Sequence, residues 1–325
     1  MSLSFPPRVS IIVPTHNRPG LLSEAVDSLR YQTYSAWEAI IVDDASSPAA
    51  ALDQHDDRIC ILRHDVAQGG AAAKNSGIQN ARGEIMAFLD DDDCYAPCYL
   101  ESALDVLDRH PELDVLFMGV AWFGRNGVEG QRNYDQAMDE FLAAACGQRS
   151  GNLTVFDDLV LHALLKSVPM ALQRPVVRKS ALARIGVYRP DCLLWDCEWA
   201  IRASLSARTA LLSEGLYRQR ADGQGYSSKQ DRTVEHLQSG IAIKDGLLLR
   251  SRAGQYLEYI DVFRVAAAKA WFDLAWHHYL HGNRARVIFP LIESARRKIG
   301  PDHLKLTIRL ILTFFSPRHW RKDLF

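Results

Sequence analysis

Four consecutive carboxylates, Asp90 to Asp93, close an apolar run in the stretch EIMAFLDDDD at residues 84–93. Ile85, Met86, Ala87, Phe88 and Leu89 have the composition of a buried strand, so the aspartates stand where that strand emerges. Like charges this close repel one another and need a counter-charge. A divalent cation with oxygen ligands, itself holding phosphates, supplies one; an acidic turn solvated at a strand end is the alternative. Two more polar clusters follow strand-like runs: Thr15, His16, Asn17 and Arg18 after RVSIIVP, and Asp43, Asp44, Ala45, Ser46 and Ser47 after EAIIV. Farther on, Asp196 and Glu198 in WDCEW lie near the start of a helical pattern, between Trp195 and Trp199.

The elements around these residues decide whether they can meet. Arg8 to Val13 is a β-branched run closed by Pro14, a first strand. Leu21, Leu22, Ala25, Val26 and Leu29 follow at helical spacing. Glu38–Val42, Ile59–Leu62 and the run from Ile85 are further strands, and Gly69 and Gly70 precede an alanine-rich helix through Ala81. Strands alternating with helices imply a mostly parallel sheet, whose ligands bind outside the carboxyl ends of its strands. The clusters at 15–18, 43–47 and 90–93 all fall at such ends, which points to one nucleotide-sized site.

Beyond the aspartates, the pattern predicts a helix over Tyr99–Arg109, a strand over Val115–Phe123 and a loop over Gly124–Gly130. Helical fragments follow at Gln136–Ala145 and Phe156–Lys166. Val176 and Val177 end a strand, and Lys179–Ile185 is a short helix stopped by Gly186. Thr209–Leu212 reads as a strand, and Gln219–Lys229 has the composition of a mobile loop. From Thr233 the pattern is helical throughout. A boundary near 230 therefore divides a domain at 1–229 from a helical C-terminal region at 230–325.

A hydrophobic fraction of 48% and a charged fraction of 24% are those of an ordinary soluble globular protein. The formal net charge of -1 gives no global electrostatic reason to bind nucleic acid. No basic segment followed by an apolar one opens the chain, and no stretch approaches the ~20 apolar residues that span a bilayer, so a cytoplasmic location is expected. Six cysteines form no CxxC pair and no zinc-site spacing, and reduced thiols are the expectation.

In their order, the stretches VSIIVPTHNR, QTYSAWEAIIVDDASS, GGAAAKNSGIQNARGEIMAFLDDDD and VVRKSALARIGVYRPDCLLWDCEW resemble the family 2 glycosyltransferases, inverting enzymes of GT-A fold. The likeness covers roughly residues 8–228. It implies an α/β fold of GT-A type: a mostly parallel central sheet flanked by helices, with a nucleotide-binding half and an acceptor half, here followed by a helical C-terminal extension. It also implies metal-dependent transfer of a sugar from a UDP-linked donor to an acceptor hydroxyl, in bacterial surface polysaccharide or glycoconjugate synthesis. The acceptor class would be a saccharide or a lipid-linked saccharide.

The resemblance assigns roles residue by residue. Pro14 and Thr15 would line the base and ribose pocket, with Asn17 and Arg18 in the same donor-facing turn. Asp44 would accept the uracil imide N–H, with Asp43 beside it and either one able to face the base. Lys74 stands where the family commonly has arginine, and would meet a phosphate or one of the aspartates. Asp92 matches the ligand of a Mg2+ or Mn2+ ion, with Asp91 toward the ribose and Asp90 toward the donor sugar, in a register open by one residue. Asp196 matches the base that deprotonates the acceptor, and Glu198 is the reserve.

One departure stands out. The segment YRQRADGQGYSS at 217–228 lacks the histidine that many relatives carry there, leaving Arg218 or Arg220 to meet the phosphates. His16 reads as a turn residue, and His277, His278 and His281 as structural. Leu304 to Phe315 is rich in Leu, Ile and Phe among basic neighbours. It resembles a helix on an anionic membrane surface, the alternative being a packed helix with a solvated basic face. The alternative function is a nucleotide-sugar-binding scaffold without transferase activity.

Overall fold

The computed structural model describes residues 6–223 and 231–315, with side chains described as far as residue 312. In chain order the elements are β1 (Val9–Thr15), α1 (Pro19–Arg30), β2 (Trp37–Asp43), β3 (Ile59–Arg63), α2 (Gly70–Asn80), β4 (Ile85–Phe88), β5 (Cys94–Tyr95), α3 (Tyr99–Arg109), β6 (Val115–Phe123), α4 (Gly127–Ala144), β7 (Gly147–Ser150), β8 (Leu153–Phe156), α5 (Val160–Lys166), β9 (Pro175–Arg178), α6 (Leu182–Ile185), α7 (Trp195–Ser206), β10 (Thr209–Arg220), α8 (Thr233–Arg252), α9 (Ile260–Leu280), α10 (Arg284–Arg297) and α11 (Pro301–Phe315). They form two compact units, 1–231 and 232–325.

The first unit is built on one sheet of order β3-β2-β1-β4-β9-β6-β10-β8-β7, with β5 pairing off the path against β10. β2, β1 and β4 are buried along their whole length apart from Pro14, which is half-buried. Their near-continuous apolar runs are what a parallel sheet covered on both faces requires. α2 lies so close to β1 that a Cβ on Gly77 would sit 2.4 Å from the Ile12 side chain, so only glycine fits at that crossing.

The sheet is mixed rather than uniformly parallel. β3, β2, β1 and β4 run parallel, as do β6 and β10. β9 lies antiparallel between β4 and β6, and β8 and β7 continue antiparallel beyond β10. The β7–β8 link is a tight turn through Gly151 at φ 60, too short for the crossover that parallel pairing needs.

Local readings differ from the structure in three places. The expected loop over 124–130 is already helical from Gly127, because Gly130 lets the helix pass under the Trp122 ring, 2.7 Å from where a Cβ would be. The expected helix from Phe156 begins only at Val160, since Leu153–Phe156 pairs with β7 and β10. The expected strand over 209–212 continues to Arg220 after a register shift between Leu212 and Tyr217. That strand takes in Gln219 and Arg220 of the expected 219–229 loop, whose residues 224–230 lie outside the described residues.

The second unit is α8 to α11. Ile241, Ala270 and Leu274 form one buried cluster, and Ala275, Val287, Leu306 and Leu310 another. Arg297 grips both oxygens of Asp245 at 2.8 and 2.7 Å, and the Trp271 indole N–H donates to the same carboxylate at 2.9 Å. No helix among the described residues is long and apolar enough to cross a membrane.

Candidate active site

Parallel pairing of β1 with β2 and β4 delivers residues 14–18, 43–47 and 89–93 to one edge of the sheet. The first two loops are laced together. Asp44 N–H donates to the Thr15 carbonyl at 2.9 Å, Asn17 N–H to Ser46 Oγ at 2.9 Å, and Ser47 N–H to Asn17 Oδ1 at 2.7 Å. His16 Nδ1 donates to the Asp44 carbonyl at 2.6 Å, in keeping with a turn residue. Asn17 and Ala45 both take left-handed backbone, at φ 55 and 61. For alanine that conformation costs on the order of 1 kcal/mol, which the surrounding bonds must hold in place.

Asp43 and Asp44 are adjacent but differently used. Asp43 is turned into its own loop, accepting the N–H of Ser46 at 2.8 Å and of Ala50 at 3.0 Å and pairing with Arg63. Burial works to raise its pKa, but the Ser46 and Ala50 hydrogen bonds and Arg63 bring it down to about 2. Asp44 Oδ1 accepts His64 Nδ1 at 2.7 Å and Gln68 N–H at 2.8 Å, and its Oδ2 accepts Gly69 N–H at 2.7 Å. Gly69 reaches that position at φ 90, a conformation suited to glycine. A carboxylate has about four lone-pair sites, so these contacts leave Oδ2 of Asp44 room for one more donor.

In the aspartate turn, Thr15 Oγ1 donates to Asp91 Oδ2 at 2.7 Å. Arg18 Nη1 bridges Asp91 at 3.0 Å and Asp92 at 3.1 Å. Lys74, 3% exposed on α2, pairs with Asp90 at 2.8 Å and lies 4.6 Å from the Trp195 ring. It is therefore buried in the site and not on a solvated helix face. Arg174, just before β9, reaches Asp90 at 3.3 Å and Asp93 at 3.6 Å, while its guanidinium covers the Tyr217 ring at 4.7 Å. Tyr217 OH donates to Asp93 Oδ2 at 2.9 Å and accepts Asp90 N–H at 3.2 Å.

These surroundings split the four carboxyls. Burial works to raise the pKa of Asp90, but the charges of Lys74 and Arg174 outweigh it and hold that group well below the usual range. Burial pushes Asp91 up to about 6 against the pull of Thr15 and Arg18. It raises Asp92 too, helped by the charge of Asp90, and it raises Asp93. Arg18, Lys74 and Arg174 each touch these carboxylates.

Asp196 stands in the first turn of α7, half-buried, with Oδ1 accepting the Cys197 N–H at 2.8 Å. Its charge reaches Arg174: burial opposes the charge on that guanidinium, and Tyr217, Asp90, Asp93 and Asp196 together overcome it. Trp195 connects the helix to the same sheet edge, standing over Lys74 and edge-on to Tyr188 at 5.1 Å. Tyr188 is itself fixed by Asn75 of α2, which bonds its carbonyl at 2.8 Å and its N–H at 3.0 Å. Glu198 is buried and forked onto Arg202 at 2.8 Å, away from the aspartates' cations. Trp199 is core, its indole N–H donating to the Gly186 carbonyl at 2.9 Å.

Sequence reasoning missed Arg174, Tyr217, His64 and Tyr188. Arg174 left one trace, a lone charge between the apolar runs MAL and PVV. Arg220, named as a phosphate candidate, donates through Nε to the Asp92 carbonyl at 3.0 Å and pairs with Glu24; Arg218 is exposed. His281 Nδ1 donates to the His277 carbonyl at 2.9 Å.

Residues 10–158 match the family model described as Glycosyl transferase family 2. Over those residues the chain is similar to the family 2 glycosyl transferases. Over 126 residues it is 36% identical to the UDP-Glc:alpha-D-GlcNAc-diphosphoundecaprenol beta-1,3-glucosyltransferase WfgD of Escherichia coli, covering 38% of this chain and 49% of that protein. The matches span about a third to a half of the first curated relatives. Among solved structures, S. aureus TarS 1-349 in complex with UDP-GlcNAc superposes with a TM-score of 0.55 at 17% identity, covering 90% of this chain and 92% of that one. The mannosyltransferase PcManGT from Pyrobaculum calidifontis, in complex with GDP-Man and Mn2+, superposes at 0.52 with 18% identity, covering 98% and 84%. The fold of the first unit is of GT-A type.

Glycosyltransferases of this fold commonly use a divalent metal, and the donor set here suits one in a particular way. No group of three or more His, Cys, Asp or Glu among the described residues forms a protein cage. The turn offers adjacent hard carboxylate oxygens instead. That is the setting in which Mg2+ or Mn2+ is held by one or two carboxylates together with substrate phosphates.

Proposed function

We propose that the chain transfers a sugar from a UDP-linked donor to the hydroxyl of a saccharide or lipid-linked saccharide, with inversion at the anomeric carbon. The observation that carries this reading is the convergence of Asp44, the Thr15–Arg18 turn, Lys74 and the aspartate turn on one edge, with Asp196 joined to it through Trp195. UDP in the names of the E. coli relative and the S. aureus neighbour supports the donor class, and diphosphoundecaprenol in the former supports a lipid-linked acceptor.

On this reading Asp44, with one acceptor site left, takes the base N–H, and Asp43 holds the turn that presents it. Pro14 and Thr15 form the wall of the base and ribose pocket, which Asn17 braces. Arg18 and Lys74 stand where they can shift from carboxylate to phosphate when a donor arrives, while Asp90 and Asp91 face the sugar and ribose. Asp92 would hold a Mg2+ or Mn2+ ion, whose charge offsets that of the leaving diphosphate. Asp196 takes the acceptor proton as the acceptor oxygen bonds to the anomeric carbon and the bond to the diphosphate breaks. Its half-buried carboxylate is outside the ion pairs that Arg18, Lys74 and Arg174 make with the aspartate turn.

Thermal stabilisation by a panel of nucleotide sugars, with and without Mn2+, tests the donor assignment. A metal-dependent shift with UDP-sugars and UDP is expected, and stabilisation by purine nucleotides alone would remove Asp44 from the base pocket.

A further inference from the structure

α11 is apolar on two opposite faces. Leu306 and Leu310 are buried in the cluster with Ala275 and Val287. Leu304, Ile308, Ile311 and Leu312 fall at the i, i+4, i+7, i+8 spacing of a single stripe on the other side, and are 65, 47, 50 and 56% exposed. α10 repeats the arrangement: Val287, Pro290 and Ser294 are buried, while Ile288, Phe289 and Ile292 are exposed. Exposed apolar surface of this extent on contiguous helices calls for a partner.

Charge identifies the partner. From 284 to 312 the chain has seven Lys and Arg residues against Glu293 and Asp302. Lys305 and Arg309 follow the α11 stripe along one flank, and Arg296 lies on the exposed side of α10. A two-fold contact with a second copy would bring two such positive surfaces together, which repulsion disfavours. An anionic bilayer instead attracts the basic groups while accepting the apolar side chains at the acyl boundary. Since no described helix can cross a membrane, the mode is lying on the surface.

We infer that the outward faces of α10 and α11 form a membrane-docking surface for anionic lipid. Co-flotation of the full chain with vesicles tests this independently of donor, metal and acceptor, so its failure leaves the transferase reading standing. The chain should float with phosphatidylcholine vesicles containing ~30% phosphatidylglycerol and much less with phosphatidylcholine alone, and salt should release it. Ile308→Glu with Ile311→Glu should lower the partition coefficient roughly a hundredfold. Both positions are exposed, so circular dichroism and the donor-induced thermal shift should stay as in the wild type. Lys305→Glu should weaken anionic binding by roughly tenfold, with little effect on neutral vesicles. No flotation with anionic vesicles, or equal flotation of the double variant, would overturn the inference. A dimer dispersed by the double variant, with no vesicle binding, would assign the face to a second copy instead.

Discussion

The aspartate turn and the first turn of α7 present carboxylates in opposite ways. Asp90 to Asp93 are surrounded: Thr15, Arg18, Lys74, Arg174 and Tyr217 each place a donor or a cation on them. Asp196 is half-buried and accepts the backbone N–H of the next residue. The first arrangement suits a group that must hold a charged ligand in place, because its geometry is set before the ligand arrives. The second suits a group that must reach a substrate hydroxyl, because fewer protein donors occupy its oxygens. On the proposed reading, these two carboxylate sites, joined through Lys74 and Trp195, have different tasks.

The sharpest way to break that contrast is to neutralise each side. Asp196→Asn should lower transfer by ~10²–10⁴-fold while leaving metal-dependent donor binding near the wild type. Asp92→Ala should do the reverse in kind, abolishing metal-dependent stabilisation by the donor. Radiolabelled transfer and thermal shift on the same preparations check both. Near wild-type transfer by Asp196→Asn would remove it from the base role.

A second test removes the centre of the surrounded site. Arg174 pairs with the buried Asp93 and the half-buried Asp90, and its Nε lacks a hydrogen-bond partner in the structure. Arg174→Met leaves Asp90 and Asp93 without that counter-charge and should cost about 3–5 kcal/mol in urea unfolding. A loss below ~1 kcal/mol would show that Lys74 and Tyr217 suffice to hold the turn.

Acid sharpens the comparison inside the β2 loop. Asp43 has its pKa depressed to about 2, below its ordinary value, so its contribution to stability is complete above pH ~4 and disappears as pH falls through about 2. Asp43→Asn should therefore be less stable than the wild type at pH 7, with the gap closing toward pH 2, as followed by circular dichroism. A gap independent of pH would place the effect in packing.

The smallest effect concerns the backbone beside it. Ala45→Gly relieves the left-handed alanine and should stabilise by about 0.5 kcal/mol, as the glycine entropy cost offsets part of the gain. A destabilisation would mean that the Ala45 methyl is packed, not strained.

The legible parts of the site were those written in consecutive residues. An apolar run ending in DDDD, DDASS or THNR declares a strand end with polar groups on it, and the βα alternation brings such ends to one edge. Partners from distant segments left little trace. Arg174 meets Asp90 from 84 positions away, and Tyr217 meets Asp93 from 124. The burial of Lys74 was open for the same reason: a lysine on an alanine-rich helix looks alike whether its side chain ends in water or against Asp90. Antiparallel β9, β8 and β7 were obscured because short strands joined by tight turns show too little periodicity to separate from helix or loop.

By itself, the sequence determined that a strand–helix alternation would gather three polar clusters, that four adjacent carboxylates would need cations, and that the described chain from Thr233 to Phe315 would be largely helical. Those features follow from local composition and period. Only the tertiary structure decided which cations answer the carboxylates, that Asp43 turns inward while Asp44 keeps an acceptor site, and which face of α11 is covered. Each of these depends on what a distant segment places beside a residue, and burial and charge pairing are properties of that meeting.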